Sequence, residues 1–217
     1  MVICCWSSKG GSGTTVVATA LALVLGERSP TGAVLADLCG DAPVVLGTRE
    51  PEASPGLAGW LAAGGDVPAD ALARLEEVVA PGLHLLPRGD GSLVTARAGE
   101  LFAALDADPR PVVIDAGLAP PESVGAVLAA SATVSLLVVR PCFLALRRAV
   151  DAVIRPSAIV LVCEEGRALT AGDVEQALGV PVRAEVMVTA HVARAVDAGV
   201  LASRLPRSLA RELRDAA

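Results

Sequence analysis

The segment Ser8-Lys9-Gly10-Gly11-Ser12-Gly13-Thr14-Thr15 constrains this chain more than any other. A short apolar run, Val2 to Trp6, precedes it, and a longer Ala- and Leu-rich run, Val16 to Leu25, follows it. The first predicts a strand and the second a helix. Strand, glycine-rich turn and helix together form an anion cradle. Glycines let backbone N–H groups crowd a phosphate, and the helix N-terminus adds the positive end of its dipole. Thr14 and Thr15 open the helix with hydroxyls suited to capping it or to reaching a magnesium ion. Lys9 is also the only lysine in the chain, every other basic side chain being arginine. Retention of a compact ammonium against that bias points to a place where a planar guanidinium does not fit.

The rest of the chain alternates in kind. Strands are predicted at Val2–Ser7, Ala33–Leu38, Gly82–Pro87, Pro111–Asp115, Thr133–Val139, Ser157–Cys163 and Val182–Val188. Helices are predicted at Thr15–Glu27, Leu57–Ala63, Ala69–Val79, Ala96–Ala107, Ser123–Ala130, Leu144–Val153, Ala171–Leu178, Val192–Ala198 and Arg207–Ala216. Such alternation implies βαβ units: an α/β fold with a mostly parallel sheet of roughly seven or eight strands and helices on both faces. The apolar fraction is 53% with only 2% aromatic, which suits strands buried on both faces. No internal repeat or linker interrupts residues 1–217, so a single domain is expected. The net charge of −6 gives no global field toward DNA or anionic lipid. The five cysteines (Cys4, Cys5, Cys39, Cys142, Cys163) contain no C-x-x-C and read as reduced residues of a cytoplasmic protein.

In an open parallel sheet, ligands gather at the carboxyl ends of the strands. The first strand there ends in the glycine loop, the second at Asp37, and Pro111–Asp115 at its aspartate. An apolar run ending in Asp is the Walker B pattern, whose carboxylate holds magnesium through water. Asp115 and Thr15 are therefore the candidate metal residues. Gly10, Gly11, Ser12, Gly13, Thr14 and Thr15 are the candidate phosphate-binding ones. His84 and His191 have no third ligand nearby, there is no G-x-S-x-G, and the glycine spacing is not that of a dinucleotide-binding fold.

The loop departs from G-x-x-x-x-G-K-[ST] at Ser8 and Thr14. What remains, K-G-G-x-G-x-T, resembles the deviant Walker A motif, K-G-G-x-G-K-[ST], of the ParA/MinD family of dimeric ATPases. The resemblance implies ATP and Mg2+ as cofactors and a homodimer in which Lys9 reaches the partner's nucleotide. Thr14 replaces the lysine that would grip the β- and γ-phosphates. Val34–Cys39 resembles the family's D-x-D segment, with Asp37 at its first acid and Cys39 at the second, the one associated with water activation. Thr133–Ala149, Ala168–Pro181 and Val192–Pro206 resemble later segments, and Cys163-Glu164 stands where an Asn usually holds adenine. The three losses together imply slow or absent hydrolysis with binding retained. Loss of the loop lysine is similar to the TadZ/CpaE branch, which positions pilus machinery at cell poles. The implied role is a cytoplasmic spatial regulator, recruited to a pole or the inner membrane face, with a degenerate site and a protein partner in the positioned machine. An active ATPase with a compensated loop and a nucleotide-independent adaptor are the alternatives. The C-terminal leucines (Leu205, Leu209, Leu213) are expected to pack on the body rather than on a membrane. The nearby arginines (Arg194, Arg204, Arg207, Arg211, Arg214), interspersed with acids, are expected to form a solvated face rather than a DNA-binding one.

Overall fold

The computed structural model describes residues 1–48, 55–64, 67, 68 and 70–216. Its first elements are β1 (Val2–Ser7), α1 (Thr14–Arg28), β2 (Ala33–Asp37), α2 (Ala42–Leu46), α3 (Gly56–Ala62), β3 (Glu77–Ala80), β4 (Leu83–Leu86) and α4 (Ala98–Asp106). There follow β5 (Val112–Leu118), α5 (Val124–Ser131), β6 (Val134–Val139), α6 (Phe143–Val150), β7 (Ala158–Cys163), α7 (Ala171–Leu178), β8 (Val182–Met187), α8 (Ala190–Asp197) and α9 (Arg207–Glu212). The eight strands form one sheet in the order β3-β4-β2-β5-β1-β6-β7-β8. Among the described residues only the β3–β4 pairing is antiparallel.

The pleat of β1 explains the layers. Val2, Cys4 and Trp6 point into one core, and Ile3 and Cys5 into the other, all fully buried. The first core is closed by Leu57 and Leu61 of α3, Leu101 and Leu105 of α4, Leu128 of α5 and Val174 of α7. The second is closed by Leu21 of α1, Leu46 of α2, Val192 of α8 and Leu209 of α9. A strand covered on both faces needs no polar side, which is why these runs are almost continuously apolar. Leu209 and Leu213 are completely buried, so the C-terminal helix packs on the body as expected. Among the described residues no helix is long and apolar enough to cross a membrane.

Two expectations fail. A helix predicted over Ala69–Val79 is absent from the described residues: a single 3-10 turn at Ala73–Leu75 leads into β3, while position 69 lies outside the described residues. Beside the strand, Glu76 accepts from Arg110 at 2.6 and 2.8 Å and lies 3.1 Å from His84 Nδ1, long-range contacts that outweigh local helix propensity. The second failure concerns Asp115, which lies inside β5 rather than at its end. The strand continues to Leu118 after a register shift against β1 between Cys5 and Trp6.

Gly26 of α1 fixes how closely that helix approaches the β3–β4 turn. A Cβ there would lie 2.5 Å from the Gly82 carbonyl oxygen. Ala is favoured over Gly within a helix by about 1 kcal/mol, yet Gly26→Ala is expected to destabilise the protein by about 1–3 kcal/mol, because backbone must move. Urea unfolding gives the sign; a more stable variant would refute the close-approach argument.

Candidate functional site

The loop between β1 and α1 is built by its glycines. Gly11 has φ 76° and Gly13, the N-cap of α1, has φ 88°, left-handed values that disfavour side chains. The Ser12 hydroxyl donates to the Lys9 carbonyl at 2.7 Å and closes the loop on itself. Apart from the chain neighbours, no atom of the described residues lies within 4 Å of where a Cβ would sit on Gly10 or Gly11, so the outer face of the loop is open. Lys9 Nζ makes one solvent-exposed bond, to the Gly10 carbonyl at 3.3 Å. Thr14 is buried and Thr15 half-buried. Gly10 to Thr15 thus form one glycine-rich turn that leads into the N-terminus of α1.

The β2–β5 register sets Asp37 directly beside Asp115. Both carboxyls are fully buried. Asp37 Oδ1 accepts from the N–H groups of Cys39 and Gly40, each at 2.8 Å, and Oδ2 from Ala42 at 3.1 Å. Those bonds fold residues 37–42 into a tight turn. Burial raises the Asp37 pKa, and the three amide bonds oppose the rise. Asp115 is held less well. Its Oδ1 accepts from Gly117 N–H at 3.1 Å, while Oδ2 has no partner among the described residues. Burial pushes its pKa up to about 7, against the opposing influence of the neighbouring Thr15 hydroxyl, with the Asp37 charge adding to the rise. An unsatisfied buried carboxylate oxygen beside a threonine hydroxyl suits a hard divalent cation such as Mg2+, which takes oxygen ligands.

Cys39 joins the acids. Its Sγ lies 3.7 Å from the Asp115 carbonyl, and its thiol pKa is pushed up by burial and then by Asp115, Asp37 and Asp41. Donor atoms of Asp37, Cys39 and Asp115 all lie within 4.8 Å of one another. Asp41 is exposed at the start of α2 and is not in this cluster. All five cysteines are free thiols; Cys4 and Cys5 are fully buried and the other three partly so. His84 of β4 lies 3.1 Å from Glu76, which directly precedes β3, and His191 is exposed in α8.

One feature of the site is not legible in the sequence. A 140 Å³ apolar pocket adjoins Gly13, lined by Val16, Val162, Val186 and Val192, with Arg140 at its side. Arg140 pairs with Glu164, which also accepts from Arg167 at 2.6 Å. Arg140 directly follows β6, and that strand-end position is the signal that could have marked it.

No protein-family model matches the sequence, and no curated protein matches it. Solved structures do share its fold. A ParA family ATPase from Chlorobium tepidum TLS is 18% identical with a TM-score of 0.79, over 99% of this chain and 97% of that one. The septum site-determining protein MinD from Pyrococcus horikoshii OT3, complexed with Mg-ADP, is 19% identical with a TM-score of 0.77, over 99% and 93%. The MinC:MinD cell division protein complex of Aquifex aeolicus gives 18% identity and a TM-score of 0.75, over 99% and 92%.

Proposed function

We propose that this chain is a ParA/MinD-like spatial regulator: a homodimer gated by ATP and Mg2+, with slow or absent hydrolysis, that positions a larger machine in the cell. The observation that carries this reading is the only lysine of the chain standing on an open glycine loop, at the same end of the sheet as two fully buried aspartates. Gly10 to Gly13 would hold phosphates through backbone N–H groups, and Thr15 and Asp115 would hold Mg2+, which neutralises charge on a phosphoryl group. Lys9 would serve the partner's site. The similar fold of a MinD complexed with Mg-ADP supports the cofactor assignment, and that of a MinC:MinD complex supports a protein partner. Leu118 and Val153, 53% and 78% exposed, border a 740 Å³ cleft beside α5 that would suit such a contact.

The departures support weak turnover. Thr14 offers no charge to phosphate, and Cys39 replaces an acid at the position the resemblance associates with water activation. Charge stabilisation is worth most in the transition state, so these losses should lower hydrolysis more than binding. Recruitment to a pole or the inner membrane face, and kinship with the TadZ/CpaE branch, follow from the resemblance at Thr14.

The test is titration of the purified protein with a fluorescent ATP analogue and Mg2+, with light scattering on the same samples. Saturable binding with conversion of monomer to dimer is expected. A dimer that forms without nucleotide, and no binding at millimolar concentrations, would overturn the switch and favour the adaptor; brisk phosphate release would favour the active ATPase. Thr14→Lys should tighten nucleotide binding by about 10- to 100-fold, matching the roughly 1.5–3 kcal/mol of a charge-assisted hydrogen bond. An unchanged affinity would show that this position does not face phosphate.

A further inference from the structure

The cluster of Asp37, Cys39 and Asp115 has a composition that a magnesium site does not require. We propose that these three side chains form a site for one thiophilic divalent cation of the Zn2+ class, bound directly and without nucleotide. The inference goes beyond the nucleotide switch and does not depend on it.

Three observations carry it. First, the donor atoms already lie within 4.8 Å of one another. Zn–S and Zn–O bonds of about 2.3 and 2.0–2.2 Å set tetrahedral ligand atoms roughly 3.3–3.6 Å apart, a spacing the three donors reach by side-chain rotation. Second, Asp115 Oδ2 is buried and has no hydrogen-bond partner among the described residues, and its residue is 0% exposed. A buried acceptor in that condition costs free energy until a donor or cation satisfies it. Third, the thiol is held in place. Asp37 fixes the Cys39 N–H in its turn at 2.8 Å, and Gly117 supplies the room: a Cβ on Gly117 would collide with Cys39 Sγ.

Ligand softness then selects the ion. Mg2+ demands oxygen ligands and dehydrates reluctantly, whereas a thiolate with two carboxylates suits Zn2+ or Co2+. Binding would convert the Cys39 thiol to a thiolate and release its proton to solvent, along with the proton Asp115 holds below about pH 7, so that three negative ligands face a 2+ ion. Three protein ligands leave a fourth position for water, the arrangement of an open zinc site. Occupancy would also withdraw Asp115 from Mg2+, making the two ions competitors for that carboxylate.

The experiment uses the full chain, stripped of metal and free of nucleotide, titrated with Co2+ and followed by absorption. One equivalent should bind with a sulfur-to-cobalt charge-transfer band, be displaced by stoichiometric Zn2+, and resist a large excess of Mg2+. Cys39→Ser should abolish the band. Asp115→Asn should weaken binding by more than about tenfold, since even outer-shell partners of metal ligands are worth that much. Cys142→Ser should leave both unchanged, and circular dichroism checks that each variant folds. Absence of the band in the unaltered protein, its persistence in Cys39→Ser, or ready displacement of Co2+ by Mg2+ would each overturn the site. Since no nucleotide is present, such a failure leaves the proposed switch standing.

Discussion

Asp115→Asn is expected to make the protein more stable by about 2–4 kcal/mol at pH 7.5 in the presence of a chelator and without nucleotide. The carboxyl is fully buried, and one of its oxygens has no partner among the described residues. Burial carries its pKa from 3.8 to about 7, and each unit of such a shift is worth about 1.4 kcal/mol between the two protonation states. The folded state therefore holds a proton that the unfolded state has lost throughout the interval between those values. The stability linked to this group is fully present below 3.8 and is lost as pH rises through about 7. Asp37 is raised too, so it contributes in the same direction. The gain from Asn should thus shrink as pH falls from 7.5 to 5 and approach zero near 4, which urea unfolding of both proteins across that range would reveal. In melting temperature, about 2–4 °C per kcal/mol is expected for a chain of this size. Equal stability at pH 7.5 would mean that the carboxylate is already well solvated or paired. Adding Zn2+ or Mg2+ should stabilise the native protein and leave Asp115→Asn nearly unmoved. A site that weakens its own fold until a cation arrives is a signature of binding rather than of packing.

The central part of this architecture was legible because its signals are local. Val2–Ser7, the glycine loop and the helix behind it need only a turn between a short and a longer apolar run. Asp37 and Asp115 stood out because a strand buried on both faces has little reason to carry an acid. The failures share a different origin. Residues 71–77 are rich in Ala, Leu and Glu and favour helix, but Glu76 is tied to Arg110 and His84, partners set by tertiary structure. The length of β5 beyond Asp115 depends on pairing of Gly117 and Leu118 with Trp6 and Ser7, across a register shift that periodicity cannot reveal. The same is true of Cys39. As a sequence feature it was a missing acid; beside Asp115, through the β2–β5 register, it becomes a third donor to a shared centre. Arg140 is not legible from its own segment because its partner Glu164 lies on the loop after the neighbouring strand.

Lys9→Ala is expected to eliminate nucleotide-dependent dimerisation while leaving the fold intact. Among the described residues the ammonium makes only a solvent-exposed bond to the adjacent Gly10 carbonyl, so its removal should change unfolding free energy by less than about 0.5 kcal/mol. If instead it contacts phosphate across a dimer interface, its loss should cost roughly 1.5–3 kcal/mol at each of two equivalent sites. The two contacts form together in one symmetric dimer, so the dimer constant should fall by about 100-fold or more. Lys9→Arg separates charge from shape. A guanidinium keeps the charge but is planar and broad, and at a site built around a compact ammonium it should restore little. Light scattering with and without the ATP analogue and Mg2+, beside urea unfolding of the same samples, distinguishes the outcomes. Loss of dimer with unchanged stability places Lys9 in the gated interface. Equal dimer in all three proteins removes the need for that lysine and would leave its solitary survival among arginines without a chemical cause.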